Sequence, residues 1–371
     1  MPRGIYLVPT NHTMLLAATE PPWGKEFHTM QSLRVRGLKL QPLTPPLPME
    51  LFQRTHCCDT SQHTIGALKH VIIHALAHHP ARTHDLSSAS VCVVASPPEG
   101  QCEQWSGLCP GRQLVVADVA DVDDFHTRLC TSLWNRTANC GAADNVTRIV
   151  SSPGGLERRL MRRCRTLTVP WLSHARSPIA AMATRERPIR VAFAAGVTGH
   201  ILGSRRGFMV WRRKLRDACR ALHDPLQCTG VFQSLAGGTA RSAVELYARS
   251  TFCLQPPGDT LVRTGMVDAL SVGCIPVLFH PAQAALWPTH WHSHNASVLF
   301  DWTGGHTHTS EPEKVNASHI IHELLTMPQW RVQRLQAGVV EAARGTFYRG
   351  SIGPSSIPDA VDILVDSLLR L

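Results

Sequence analysis

Apolar positions along the chain fall into two kinds of run. Residues 65–77, IGALKHVIIHALA, repeat apolar side chains at helical spacing and predict an amphipathic helix. VCVVAS at 91–96 and QLVVADV at 113–119 are short and valine-rich, the length and composition of strands, and RTLTVPW at 165–171 reads the same way. Beyond residue 188 the alternation becomes regular. A strand over 189–196 is followed by a basic amphipathic helix over 208–223 and a second helix over 242–250. A strand at 251–255, a helix at 263–272, a strand at 275–279 and a helical tail then complete the pattern. In SSIPDAVDILVDSLLRL at 355–371, a serine cap and Pro358 near the first turn predict the start of the last helix. Strands alternating with helices imply a parallel α/β sheet covered on both faces.

Two stretches lack a period. The Pro- and Thr-rich start predicts an irregular segment, and SHARSPIAAMATRERP at 173–188 predicts a linker. The expected organisation is an irregular segment at 1–55, a first domain at 56–172, the linker at 173–188, and a second domain with its helical tail at 189–371.

Composition narrows the partners. At 43% hydrophobic and 17% charged residues, the 371-residue chain can bury sizeable cores. A formal net charge of +10 favours an anionic partner. The basic residues are scattered, apart from RRLMRRCR at 158–165 and Arg pairs near 205 and 212, and form no stripe with interleaved aromatics, so nucleic acid is not the expected partner. Twelve cysteines together with five Asn-x-Ser/Thr sequons, at Asn11, Asn135, Asn145, Asn295 and Asn316, point to an oxidising secretory lumen. There, Cys102 with Cys109, or Cys219 with Cys228, can close short loops. Cys253 and Cys274 lie in apolar runs and are expected as buried thiols. The first forty residues hold no apolar run of signal-peptide length, so the chain is expected to enter by another route or to begin downstream of its true N-terminus.

The most informative stretch is FCLQPPGDTLVRTGMVDALSVGCIPVLF at 252–279. It reads as one strand–loop–helix–strand unit: Pro256, Pro257 and Gly258 break the first strand, Asp259 or Thr260 caps the helix, and Gly273 ends it. Arg263 is then placed in the first helical turn, next to the positive end of the helix dipole. An anion there, such as a diphosphate, would turn that position from unfavourable to favourable. Asp268, deeper in the helix, is placed to accept hydrogen bonds from ribose hydroxyls. The alternative reading is an ordinary turn, with Asp259 only a cap, Arg263 solvated and Asp268 a surface charge. No GxGxxG or GxxxxGK[ST] fingerprint is present to decide between them.

The same stretch resembles the sugar-nucleotide segment of the exostosin family of glycosyltransferases, in its plant and algal branch. That segment reads F-C-L-x-P-x-G-D-[ST], a basic pair, a hydrophobic-Asp-Ala run and G-C-[IV]-P-V. Arg263 matches one member of the pair, Thr264 stands at the other, and Gly265 replaces the usual serine. RTHDLSSASVCVVAS at 82–96, LWNRTANCGAADNV at 133–146, IRVAFAAG at 189–196 and the helices at 324–348 resemble further family segments in the same order. In the second of these, Asn145 stands where histidine is usual.

The resemblance implies a GT-B-like α/β fold, two Rossmann-like domains facing across a cleft, and an inverting transfer from a UDP-sugar to a polysaccharide or glycoprotein glycan. It implies donor contacts from Gly258, Asp259, Thr260, Arg263 and Asp268, an acceptor-side cleft shaped by Trp134, Asn135 and Arg136, and Asp144 as candidate base. His84 or Asp85 would also face the cleft, with Asp85 alternatively capping a turn. It further implies a UDP-sugar co-substrate without a tightly held metal or cofactor, a Golgi or secretory location with membrane association of the full-length protein, and homo- or hetero-oligomers with another transferase. The alternative is a catalytically silent, glycan-binding or partner subunit. Two other features invite weighing. HWHSH at 290–294 alternates histidines but reads as a solvated loop, and Trp287, Trp291 and Trp302 either stack on sugars or pack in the core.

Overall fold

The computed structural model describes residues 4–8, 68, 71–94, 109–117, 146–151, 165–173, 175, 186–195, 206–231, 240–257, 261–301, 316–348 and 358–371. These residues divide into two compact units, one formed before Trp171 and after Phe347, the other from Trp171 to Phe347.

The first unit is built on a parallel sheet of six strands: β1 (Gly4–Leu7), β2 (Arg82–Thr83), β3 (Ala89–Val94), β4 (Gln113–Ala117), β5 (Val146–Val150) and β6 (Arg165–Thr168), ordered β2-β1-β3-β4-β5-β6. The valine-rich runs expected as strands are β3 and β4. The helix expected over 65–77 is described at 71–78 (α1), with Val71, Ile72, Ile73 and Leu76 buried. The N-terminus corrects the expected irregular segment at 1–55. Gly4–Leu7 runs inside the sheet, paired to β2 on one side and β3 on the other, with Ile5 at 1% exposure.

The second unit carries a parallel sheet of five strands: β7 (Ile189–Ala194), β8 (Cys228–Val231), β9 (Ser250–Gln255), β10 (Ile275–Leu278) and β11 (Val298–Leu299). Its order is β11-β10-β9-β7-β8. Numbered within the unit this is 2-1-3-4-5, the doubly wound order in which the chain reverses direction between the first and third strands. The connecting helices are α2 (Arg206–Arg220), α3 (Ala240–Ala248) and α4 (Thr264–Ser271). After β10 come α5 (Pro281–Ala284) and α6 (Ser293–Ala296), then α7 (Ala317–Thr326) and α8 (Gln329–Thr346). Strand β9 is buried at all six positions, its apolar Phe252, Cys253 and Leu254 flanked by the buried polar Ser250, Thr251 and Gln255, as suits a central parallel strand. Both units are thus parallel α/β sheets, as the alternation predicts.

The last helix, α9 (Ala360–Leu368), differs from expectation in cap and in location. Asp359 is its N-cap, forming a capping box with Asp362, so Pro358 lies just before the cap. Its buried stripe of Ala360, Val361, Leu364, Val365 and Leu368 belongs to the first unit, where Asp362 accepts a hydrogen bond from His79 Nε2 at 3.2 Å and Tyr348 Oη donates to the Pro170 carbonyl at 2.7 Å. The tail therefore completes the first unit and not the 189–371 domain.

Three disulfides lie among the described residues. Cys219–Cys228 joins the end of α2 to the start of β8, as expected from its short spacing. Cys109 pairs with Cys92 and not with Cys102, because adjacent β3 and β4 bring the Cα atoms of Cys92 and Cys109 to 6.2 Å. Cys253 and Cys274 are not thiols: β9 and β10 are neighbours, their Cα atoms lie 6.0 Å apart, and the two residues are bonded. Among the described residues no helix is long and apolar enough to cross a membrane.

Candidate functional site

In an open doubly wound sheet, ligands bind beyond the carboxyl ends of the strands at the switch point. In the second unit that point lies between the ends of β7 and β9, at Ala194 and Gln255. Several polar side chains converge here. Tyr247, from α3, is 1% exposed and directs its hydroxyl to the Ala194 carbonyl at 3.4 Å. Burial pushes its phenol above the ordinary value, while the nearby Arg263 charge opposes that rise.

Arg263 is the N-cap of α4, in an extended conformation with no side-chain cap bond, and not a first-turn residue. This corrects the expectation that Asp259 or Thr260 caps the helix, since the cap position falls three residues beyond Thr260. The difference reverses the direction of the side chain: Arg263 Nη1 reaches back along the loop and donates to the Pro256 carbonyl at 2.9 Å. A second guanidinium arrives from α2. Arg212, 8% exposed beside the buried Trp211 and Leu215, donates from Nε to the Pro257 carbonyl at 3.0 Å. Two cationic groups thus sit on consecutive carbonyls where β9 ends. Arg212 was missed in the sequence, although one signal marks it: position 212 adjoins the 211–215–219 stripe that α2 turns inward.

Asp268 is 3% exposed in the body of α4, and its Oδ1 accepts a hydrogen bond from Ser173 Oγ at 3.0 Å. That ties α4 to the segment after β6, within the same unit. Gly265 has a local reason. A Cβ there would lie 2.8 Å from Gln255 Oε1 and 3.5 Å from Tyr247 Oη, so the fully buried Gln255 amide occupies the space a serine would need. Gly273 ends α4 as expected, at φ 76°, with the Cys274 N–H on the Ala269 carbonyl and its own N–H on the Leu270 carbonyl.

A polar staple holds the loop from the other side. Gln283 in α5, fully buried, donates from Nε2 to the Gln255 and Leu261 carbonyls at 2.9 and 3.1 Å. Its Oε1 accepts the Phe279 N–H at 2.9 Å. One amide therefore joins the end of β9, the loop after it and the end of β10. His280, the residue before α5, caps that helix by accepting the Ala282 N–H on Nδ1 at 3.0 Å. Burial holds its imidazole below the usual value, with Asp301 acting in the opposite sense. The unfolded chain then takes up a proton near the usual value of about 6.5 before the folded chain does. The cap's stability is complete above that pH and is lost as pH falls below it. Protonated Nδ1 also cannot accept the Ala282 N–H, a cap bond worth about 1 kcal/mol. The urea midpoint is expected to fall between pH 7 and 5, with a shallower fall in His280→Asn. An equal slope in both proteins would assign the pH dependence elsewhere.

Other candidates resolve as packing. Trp287 and Trp291 are 0% and 4% exposed with ring centroids 6.3 Å apart, and Trp291 Nε1 donates to the Leu286 carbonyl, so neither presents a face for stacking a sugar. His290 is buried against Thr289, while His292 and Ser293 lead into α6 and not along a strand. In the first unit Asp85 caps the short turn Leu86–Ser88, accepting from Ser87 N and Oγ, and those bonds lower its carboxyl below the ordinary range. Gly258, Asp259, Thr260, Trp134, Asn135, Arg136, Asp144 and Trp302 lie outside the described residues.

Residues 146–304 match the family model described as the Exostosin GT47 domain, a span that includes the whole of the β7–β11 sheet. This stretch is similar to the exostosin GT47 domain. Curated relatives agree in kind. The chain is 32% identical over 166 residues to xyloglucan-specific galacturonosyltransferase 1 of Arabidopsis thaliana, covering 43% of this chain and 23% of that protein. It is 27% identical over 190 residues to the probable xyloglucan galactosyltransferase GT12 of the same plant, covering 50% and 34%. The alignments thus span about a quarter to a third of the length of these relatives. Among solved structures, a UDP-glucosyltransferase from Polygonum tinctorium matches at 10% identity and a TM-score of 0.38, over 100% of this chain and 98% of that one. The pneumococcal O-GlcNAc transferase GtfA, in complex with UDP and GlcNAc, matches at 13% and 0.37, over 76% and 55%. Within the matched span, the switch point at β7 and β9 carries the polar cluster described above.

Proposed function

We propose that the protein is an inverting glycosyltransferase that moves a sugar from a UDP-sugar to a polysaccharide acceptor, with the donor diphosphate at the carboxyl end of β9. The observation that carries this reading is the position of Arg263 at the switch point of the sheet that matches the exostosin GT47 model, its guanidinium on the Pro256 carbonyl. In the transfer, the acceptor hydroxyl oxygen forms a bond to the anomeric carbon as that carbon's bond to the β-phosphate oxygen breaks. The hydroxyl proton passes to a general base, for which Asp144 is the candidate, and the electron pair leaves with UDP. Arg263 would stabilise the charge that grows on the departing diphosphate.

The ribose role expected of Asp268 is not carried forward, because its carboxylate is buried and bonded to Ser173. The three disulfides among the described residues and the five sequons support a secretory lumen as the working compartment. The xyloglucan transferases among the relatives favour a plant-type cell-wall polysaccharide as acceptor class.

Arg263→Ala is expected to weaken UDP binding by about tenfold or more, the effect of losing a charge-assisted contact. Calorimetric titration of folded variant and wild type checks it, and equal affinities would refute the donor site. Thr264 and Asn145, standing where the family has a basic residue and a histidine, favour a second reading as a silent partner subunit. UDP binding without turnover of any sugar in a UDP-sugar panel would select that reading.

A further inference from the structure

We infer that Asn316 accepts an N-linked glycan on Nδ2 while its Oδ1 goes on capping α7. The inference rests on the secretory compartment proposed above and adds a modification site to it. Asn316-Ala317-Ser318 has the acceptor pattern, with alanine and not proline at its centre. In the folded chain Asn316 is the N-cap of α7, and its Oδ1 accepts the Ser318 N–H at 3.0 Å and the His319 N–H at 3.3 Å. Both partners are donors, so the amide oxygen must face the helix and chemistry settles the orientation of the side chain. Nδ2 is then the arm of the planar amide turned away from those N–H groups. The surroundings suit a bulky, hydrated addition. Asn316, Ser318 and His319 are exposed, whereas Ala317, Ile320, Ile321 and Leu324 form the buried stripe of α7. The exposed pair His319 and Glu323 continues the solvent face along the next turn.

The transfer replaces one hydrogen on Nδ2. The nitrogen bonds to the anomeric carbon of a lipid-diphosphate-linked oligosaccharide as that carbon's bond to the phosphate oxygen breaks. The lipid diphosphate leaves with the electron pair, and the Nδ2 proton passes to a base of the transferring enzyme. Oδ1 keeps both lone pairs, so the product is still an N-cap for the Ser318 and His319 amides. Cap and glycan therefore use different atoms of one side chain.

The test takes the whole chain secreted from plant cells and follows the tryptic peptide 315–331, which holds this sequon alone. Wild type is expected to give the peptide with a glycan attached, and enzymatic release in heavy-oxygen water should leave a labelled aspartate at position 316. Asn316→Asp and Ser318→Ala should each lose the glycan completely. Both keep the cap, the first through a carboxylate and the second through Asn316 itself, so the His319 amide should exchange hydrogen in both as it does in glycosylated wild type. Asn316→Ala loses glycan and cap together, and its His319 amide should exchange faster. A peptide 315–331 found only unmodified, with a glycan on another sequon, would overturn the inference and leave the lumen reading standing. No glycan on any sequon would bring down both. A glycosylated wild type whose His319 amide exchanges as fast as in Asn316→Ala would show that glycan and cap exclude each other, and would also overturn the inference.

Discussion

Gly338→Ala is expected to destabilise the second unit by about 2 kcal/mol or more, against the direction that helix propensity alone would give. Alanine in the interior of α8 should gain close to 1 kcal/mol over glycine. The site denies it that gain. A Cβ at 338 would lie 2.0 Å from the Asn295 carbonyl oxygen, 2.6 Å from its carbon and 3.2 Å from the Ala296 nitrogen. These are backbone atoms of α6, which cannot rotate aside as a side chain tip would, so α8 must move off α6. Overpacking of a well-filled contact usually costs about 1–3 kcal/mol, and the backbone identity of the obstacle places this case at or above the upper end. For a unit of this size the thermal midpoint should fall by roughly 4–8 °C. A variant as stable as the wild type, by thermal and urea unfolding, would show that the two helices are less tightly apposed than described.

The second large effect concerns the staple at the end of β9. Gln283→Leu preserves approximate size and removes three hydrogen bonds at once, stranding the Gln255 and Leu261 carbonyls and the Phe279 N–H in the interior. A buried polar group left without its partner costs about 1–3 kcal/mol, and coupled losses do not add fully, so a total near 3 kcal/mol is expected. Gln283→Glu should also lose stability, because a carboxylate cannot donate to the two carbonyls. Hydrogen exchange gives the local readout: the Phe279 amide should exchange much faster in Gln283→Leu than in wild type. Unchanged protection at Phe279 together with an unchanged urea midpoint would remove the staple from the account. Because Leu261 belongs to the loop that ends at Arg263, UDP affinity should fall in the same variant.

How much of this was legible beforehand depended on whether a residue's role was local. The strand expected over 251–255 could be read from the apolar Phe252, Cys253 and Leu254 ahead of two prolines, and Gly273 could be read as a helix stop because only a glycine takes φ 76° there at little cost. The strand Gly4–Leu7 could not: four residues in a Pro- and Thr-rich setting show no period, and the partners that make them a strand lie at Arg82–Thr83 and Ala89–Val94. Arg263 was placed within a residue of its position, but its direction depends on whether the helix begins at 263 or 264, a difference that pattern does not resolve. Gln283 gave no signal at all, since a polar residue in a four-residue helix acquires meaning only when three backbone groups converge on it. Arg212 stood between. Its place beside an apolar stripe was visible, while the carbonyl it meets comes from a segment 45 residues further along. The helical tail was recognised as a helix but assigned to the wrong unit, because amphipathic spacing states that a face is buried and not what buries it.

The Cys253–Cys274 bond has a consequence for the connectivity of the donor segment. It joins β9 to the residue that precedes β10, across a sequence separation of 21 residues. Strand end, α4 and the residues between them therefore form a covalent ring, joined to the rest of the chain at Cys253 on one side and at Cys274 on the other. A single break in the backbone inside that ring would open the ring without releasing a fragment. The two halves of the protein would stay attached until the disulfide itself was reduced.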